Sequence, residues 1–189
     1  MSDLAKAITA LCTAIVAVIG LIQFLNAPPA GSSRASATPG GQAIISQWTE
    51  DFETPDKDWF VTGGAGFDLG KGYAHTGDGN GWVHQTTGWN AINIFRDVQS
   101  DRTYTVKAWL NLSPKLTDGY FSVRAAPERN QDGQILREIK LVGPSPSDRY
   151  NLYSFTFNTT DWRTVLIYVG LSGNGQDSWI QIDDVVLTT

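Results

Sequence analysis

Through residues 43–189 this chain alternates apolar and polar side chains in run after run with a period of two, and that period restricts its fold more than any other feature. In TYTVKAWLNL (103–112), Tyr104, Val106, Ala108, Leu110 and Leu112 share one face, and Lys107, Trp109 and Asn111 share the other. In YFSVRAA (120–126), Phe121 and Val123 oppose Tyr120, Ser122 and Arg124. TVLIYVGLS (164–172) sets Val165, Ile167, Val169 and Leu171 against Leu166 and Tyr168, and YSFTFN and SWIQIDDVVL continue the pattern. Successive side chains leave a strand on opposite faces, so this period lines one face of a sheet. No stretch of the region keeps a helical period with cap signals. Clusters of Gly, Asn, Asp and Pro at 63–66, 77–81, 130–133, 143–148 and 173–177 punctuate the runs. About eight to ten short strands without helices predict two packed antiparallel sheets, an all-β sandwich of jelly-roll type.

The N-terminal part has a different chemistry. Residues 7–25, AITALCTAIVAVIGLIQFL, are nineteen in a row without a charge. As a helix they reach roughly 28 Å, close to the hydrocarbon thickness of a bilayer. The expectation is a hydrophobic α-helix over 1–26 that spans a membrane or drives assembly. A cleaved signal peptide is the rival, but its apolar core is usually ~7–15 residues with a small-x-small site just beyond. Here the best such site, Ala35-Ser36-Ala37, lies well downstream of Leu25. Ala7, Ala10, Ala14 and Ala17 form a stripe of small residues that would let helix backbones approach, in lipid or in a homo-oligomeric bundle. Residues 27–42 are Pro, Gly, Ser, Ala and Thr with one charge, which predicts a flexible linker ahead of a domain over 43–189. The arrangement implies a membrane-anchored chain whose domain sits outside the cell.

Charge and reactive side chains exclude several functions. The chain carries 14 basic and 19 acidic residues, and residues 1–41 hold only two basic and one acidic of these. The remainder therefore has a net charge of −6, the wrong sign for a nucleic-acid backbone. The single cysteine, Cys12, sits in the apolar segment and is neither a disulfide partner nor an exposed nucleophile. GGAGFDLGKG (63–72) lacks the Gly-Lys-Ser/Thr ending of a phosphate loop, and no Ser occupies a G-x-S-x-G elbow. In a regular strand, Glu50-Asp51 and Asp183-Asp184 point to opposite faces, so neither pair converges on a glycosidic bond. His84 has no second histidine at metal-ligand spacing, because His75 is nine residues away, which argues against zinc. The expectation is a non-catalytic chain.

Three segments in order, DFETPDKDW, then GWNAINIFRDVQSDRTYTVKAWLNL, then YNLYSFTFNTTDWRTVLIYVGLSGNGQDSWIQIDDVVL, resemble the carbohydrate-binding modules of the family 4, 9 and 22 group. These are jelly rolls with a galactose-binding-like fold, and the resemblance covers essentially 48–189. It rests most on Phe52-Glu53 with Trp59, on Tyr104 with Ala108-Trp109, and on Ile182-Asp183-Asp184-Val185. Family membership would imply a structural calcium ion between Glu53 and Asp183, with Asp51, Asp78 and Asp184 nearby and carbonyls around 72–76 completing the shell. Glu53 and Asp183 could instead cap loops or pair with arginine. The resemblance also implies binding of a polysaccharide or glycan by aromatic stacking, with Trp89 and Asn90 as contacts. Trp109, Tyr120, Arg124, Trp82 and His84 join them as outward-facing candidates. Two departures weaken transfer of a sugar specificity: Tyr168-Val169-Gly170 stands where the family 22 pattern has an acid, and Gln85-Thr86-Thr87 where it tends to have an arginine. The alternative is a structural or adhesion subunit that uses the jelly roll for protein contacts and the apolar helix for self-assembly.

Overall fold

A computed structural model describes residues 47–131, 133–146 and 149–189. The expected helix over 1–26, its alanine stripe and the 27–42 linker lie outside the described residues. No helix among the described residues is long and apolar enough to cross a membrane. Ala43–Thr189 is one compact unit, and its described residues are all β apart from a single 3-10 turn at Pro127–Arg129.

The strands are β1 (Gln47–Glu50), β2 (Trp59–Val61), β3 (Ala65–Leu69), β4 (Gly79–Asp97), β5 (Thr103–Leu112), β6 (Gly119–Ala125), β7 (Ile135–Leu141), β8 (Asn151–Asn158) and β9 (Thr164–Thr188). All pairings are antiparallel. Two strands, β4 and β9, are long enough to serve both layers of the sandwich. Their halves 87–97 and 164–174 build a first layer in the order β2-β4-β9-β6-β7. Their other halves, 79–85 and 178–188, build a second layer in the order β3-β4-β9-β5-β8, with β1 on the last residues of β9. The ladder bends between the halves, where Gln85 pairs Ser178 but Thr87 pairs Asn174. Three residues of β9, Gly175, Gln176 and Asp177, there face the single Thr86. The extra length is taken up as a bulge, and Gly175 adopts φ +92, a backbone state open to glycine at no steric cost.

The alternation predicts the core residue by residue. Tyr104, Val106, Ala108 and Leu110 of β5, Phe121 and Val123 of β6, and Ile180 and Ile182 of β9 are all sealed between the layers. Phe121 of the first layer meets Phe155 of the second edge-to-face, with ring centroids 5.0 Å apart.

One end of the sandwich closes on a buried carboxylate. Glu50, at the end of β1, accepts the Phe52 N–H through Oε1, and the Asp56 N–H and Trp59 indole N–H through Oε2, the last at 2.8 Å. Trp48 and Trp59 sit at this seam, as their positions suggest, with the Arg96 guanidinium 4.1 Å from the Trp48 ring centre. Arg96 in turn donates to Asp56 at 2.6 Å. A buried carboxylate holding three donors is costly to truncate, because each orphaned donor loses about 1–3 kcal/mol. Glu50→Ala is therefore expected to lower stability by about 3 kcal/mol or more in urea unfolding, while Thr49→Ala on the exposed side of β1 changes it by less than about 0.5 kcal/mol. Equal midpoints for the two variants would contradict this role.

Candidate functional site

The outward face of the first layer is built in cross-strand rows. Ala91, Gly170, Tyr120 and Lys140 form one row, and Asn93, Tyr168, Ser122 and Glu138 the next. Phe95, Leu166 and Arg124 form a third. Trp89 stands one row beyond Ala91, on β4, and its side chain is 47% exposed. Its indole lies over Gly170, where an added Cβ would come within 2.6 Å of Cζ2. A side chain at 170 would push the ring off the sheet, so glycine there is what lets the indole lie flat. Tyr120 and Tyr168 flank the indole at 6.0 and 6.2 Å between ring centres.

Polar groups beside the indole form a fixed chain. The Tyr168 hydroxyl accepts from Arg124 Nη2 at 3.0 Å and donates to Glu138 Oε2 at 2.6 Å. Burial first, and then the bond to Glu138, raise the pKa of Tyr168, so the hydroxyl stays protonated. The Tyr120 hydroxyl donates to Asp118 at 2.7 Å and, with Lys140, holds that carboxyl below its ordinary range. A cavity of about 410 Å3 opens between Trp89, Asn93, Arg124, Gln131 and Tyr168, within the usual range of ligand clefts. Asn93 Oδ1 and Arg124 Nε are buried at this face without a hydrogen-bond partner among the described residues.

The seven residues expected to contact a glycan do not share one surface. Trp89, Tyr120 and Arg124 come together as described. Asn90, next to Trp89, points the other way: it is 7% exposed, donates to the His84 carbonyl at 2.9 Å and accepts from Thr62 Oγ1 at 3.0 Å. It pins the strand bend. Trp109, Trp82 and His84 belong to the second layer, because β5 and the first half of β4 pair there. The Trp82 ring covers Gly66, the Trp109 ring stacks on His75 at 4.0 Å and 15°, and His84 pairs with Asp177 in the bulge of β9. The sequence reading passed over Tyr168, Glu138 and Asn93. Glu138, from β7, places a carboxylate beside the Tyr168 hydroxyl.

The carboxylates expected to hold calcium clasp the 70–78 loop through hydrogen bonds. Glu53 Oε1 accepts the N–H groups of Asp78 and Gly79 at 2.7 and 2.8 Å. Asp183 Oδ2 accepts those of His75 and Thr76 at 2.7 and 3.1 Å, and Asp184 bonds His75 Nδ1 and the Thr76 hydroxyl. Asp51 caps the Glu53 N–H, while Asp78 contributes its backbone N–H. Among the described residues no three His, Cys, Asp or Glu side chains are placed to hold a metal ion. In this arrangement the carboxylates of Glu53, Asp183 and Asp184 act as a clasp on the loop through its N–H and hydroxyl groups. The expectation that Asp183 and Asp184 face opposite ways needs correction. β9 bulges against β5 between Lys107 and Trp109, and Asp184 takes φ +46, which turns both carboxylates onto one loop.

No family model and no curated protein matches the chain. Several solved domains share its fold. The family 22 xylan-binding module of Xyn10C from Paenibacillus barcinonensis aligns over 75% of this chain and 92% of its own at TM-score 0.53 and 13% identity. A further family 22 xylan-binding domain aligns over 75% and 93% at TM-score 0.54 and 16% identity. The K1 cleaved adhesin domain of Lys-gingipain from Porphyromonas gingivalis aligns over 76% and 98% at TM-score 0.56 and 12% identity. At such identities the likeness is one of fold, and it is the jelly-roll fold that the strand pattern predicts.

Burial raises the pKa of Asp183 from the ordinary 3.8 to about 6, against the pull of its three N–H donors. Between those values the native carboxyl holds a proton that the unfolded chain has released. Its contribution to stability is therefore greatest at low pH and falls as pH rises from about 4 to about 6. Subtracting the Asp183→Asn variant's urea stabilities from the wild type's at pH 4, 5, 6 and 7 should yield that decline. A difference that is flat across the window would contradict it.

Proposed function

We propose that residues 43–189 form a non-catalytic module that binds a polysaccharide or glycan chain along the outward face of the first layer. In this reading the apolar segment 7–25 anchors the module to a membrane, and residues 27–42 give it reach outside the cell. The observation that carries the proposal is the exposed Trp89 indole, laid on Gly170 and flanked by two tyrosines beside an open cleft. A flat, partly apolar ring matches the C–H face of a pyranose, and planar hydrogen-bonding groups at its edge read hydroxyls. Asn93 Oδ1 and Arg124 Nε offer an acceptor and a donor that the described residues leave unused. Sugar hydroxyls carry both complements. The xylan-binding modules of like fold support the same choice of ligand class.

Electrophoresis of the detergent-solubilised chain through gels containing xylan, galactan or β-glucan tests the proposal. The wild type should be retarded in at least one gel. Trp89→Ala should weaken retardation at least tenfold, as expected from losing more than about 1.4 kcal/mol at a central aromatic contact. Gly170→Val, which displaces the indole without deleting it, should do the same, while exposed Thr87→Ala should migrate as wild type does. Undiminished retardation of Trp89→Ala would contradict the proposal, as would free migration of the wild type in every gel, a result that favours protein contacts instead.

A further inference from the structure

We propose that the outward face of the second layer carries a second glycan-binding site, on the opposite side of the sandwich from Trp89. The inference takes its ligand class from the preceding reading but rests on separate residues. A cavity of about 570 Å3 opens there, larger than the cleft beside Trp89. Tyr73, His75, Asn111, Arg149, Tyr150 and Gln181 line it.

Each part of this lining is held from below. Register places Asn111 of β5 beside Gln181 of β9, and Asn111 Nδ2 donates to Gln181 Oε1 at 2.8 Å. That bond uses one donor and one acceptor of the two amides. Asn111 Oδ1 and Gln181 Nε2 have no partner among the described residues, which leaves an acceptor and a donor side by side on the cavity floor. The wall is the 70–78 loop. Asp183 and Asp184 grip it at His75 and Thr76, and the His75 ring is held between Trp109 at 4.0 Å and Tyr150 at 5.5 Å. The Tyr150 hydroxyl donates to the Tyr73 carbonyl at 2.8 Å. Burial, with the charges of Asp183 and Asp184, raises its pKa, so it remains a donor. Tyr73 is thereby fixed through its backbone while its ring stands 52% exposed at the rim. The Arg149 guanidinium forms no ion pair among the described residues.

A free ring, two half-used amides and a guanidinium with no ion pair among the described residues match a hydroxyl-rich ligand with C–H faces. An apolar ligand would strand the amides, whose free donor and acceptor it cannot satisfy. A nucleic acid would meet the carboxylates of Asp183 and Asp184 behind the wall and a domain of net negative charge. Because the two faces look in opposite directions, one short oligosaccharide reaches only one of them. A single domain would then take two oligosaccharides, or bridge two polysaccharide chains.

Calorimetric titration of the full chain in detergent micelles with xylohexaose, galactohexaose and cellohexaose tests this. The wild type should bind two molecules per chain, Trp89→Ala one, Tyr73→Ala/Arg149→Ala one, and the triple variant none. Both residues of the second variant are exposed, and Tyr73→Ala keeps the carbonyl that Tyr150 holds. Gln181→Ala on the floor should also remove one site. One site in the wild type, lost in Trp89→Ala and unchanged in Tyr73→Ala/Arg149→Ala, would overturn the second site and leave the first. One site that survives Trp89→Ala but is lost in Tyr73→Ala/Arg149→Ala would uphold the second and overturn the first. No heat with any of the three overturns both.

Discussion

The antiparallel ladder between β4 and β9 crosses from one layer to the other, so every other strand takes its place from it. β2, β6 and β7 attach where the ladder forms the first layer, and β3, β5 and β8 where it forms the second. A strand pair shared by both layers fixes their register to each other. Both outward faces inherit that register. Trp89 lies on Gly170 because Ala91 pairs Gly170, and Asn111 meets Gln181 because the same β9 continues past the bulge.

Local periodicity made much of this legible. Residues 103–112 alternate cleanly and the structure buries the face that the alternation marks, whereas 165–171 are buried on both faces, Leu166 and Tyr168 included. What the sequence did not disclose were the breaks in alternation. The cluster at 173–177 reads as a break between strands, yet the chain carries it as a bend inside one strand. Asp183 and Asp184 read as opposite-facing, and a single left-handed residue turns them onto one loop. Asn90 looked like a neighbour of Trp89 in function because it is its neighbour in sequence, but adjacent strand positions point apart.

Pairing between distant strands was the other hidden quantity. One sequence shows that Trp89, Trp109 and Tyr120 lie on strands, but not which layer each strand joins. Glu138 reaches Tyr168 only because β6 lies between β7 and β9, a relation with no local signature. Glu50 differs, because its buried carboxylate gathers the N–H groups of Phe52, Asp56 and Trp59 from within nine residues of chain. There the buried acceptor is met by three donors that the folded turn supplies.

The account turns on Trp89 being the ring that a glycan covers. Of the seven tryptophans it alone counts among the exposed large hydrophobic side chains, at 47%. Mild oxidation with N-bromosuccinimide followed by peptide mass spectrometry reads this directly, with and without a saturating polysaccharide that retards the chain. The account predicts that Trp89 oxidises first in the free chain and is protected when the polysaccharide is bound. Oxidation of Trp89 at the same rate in both states would contradict it.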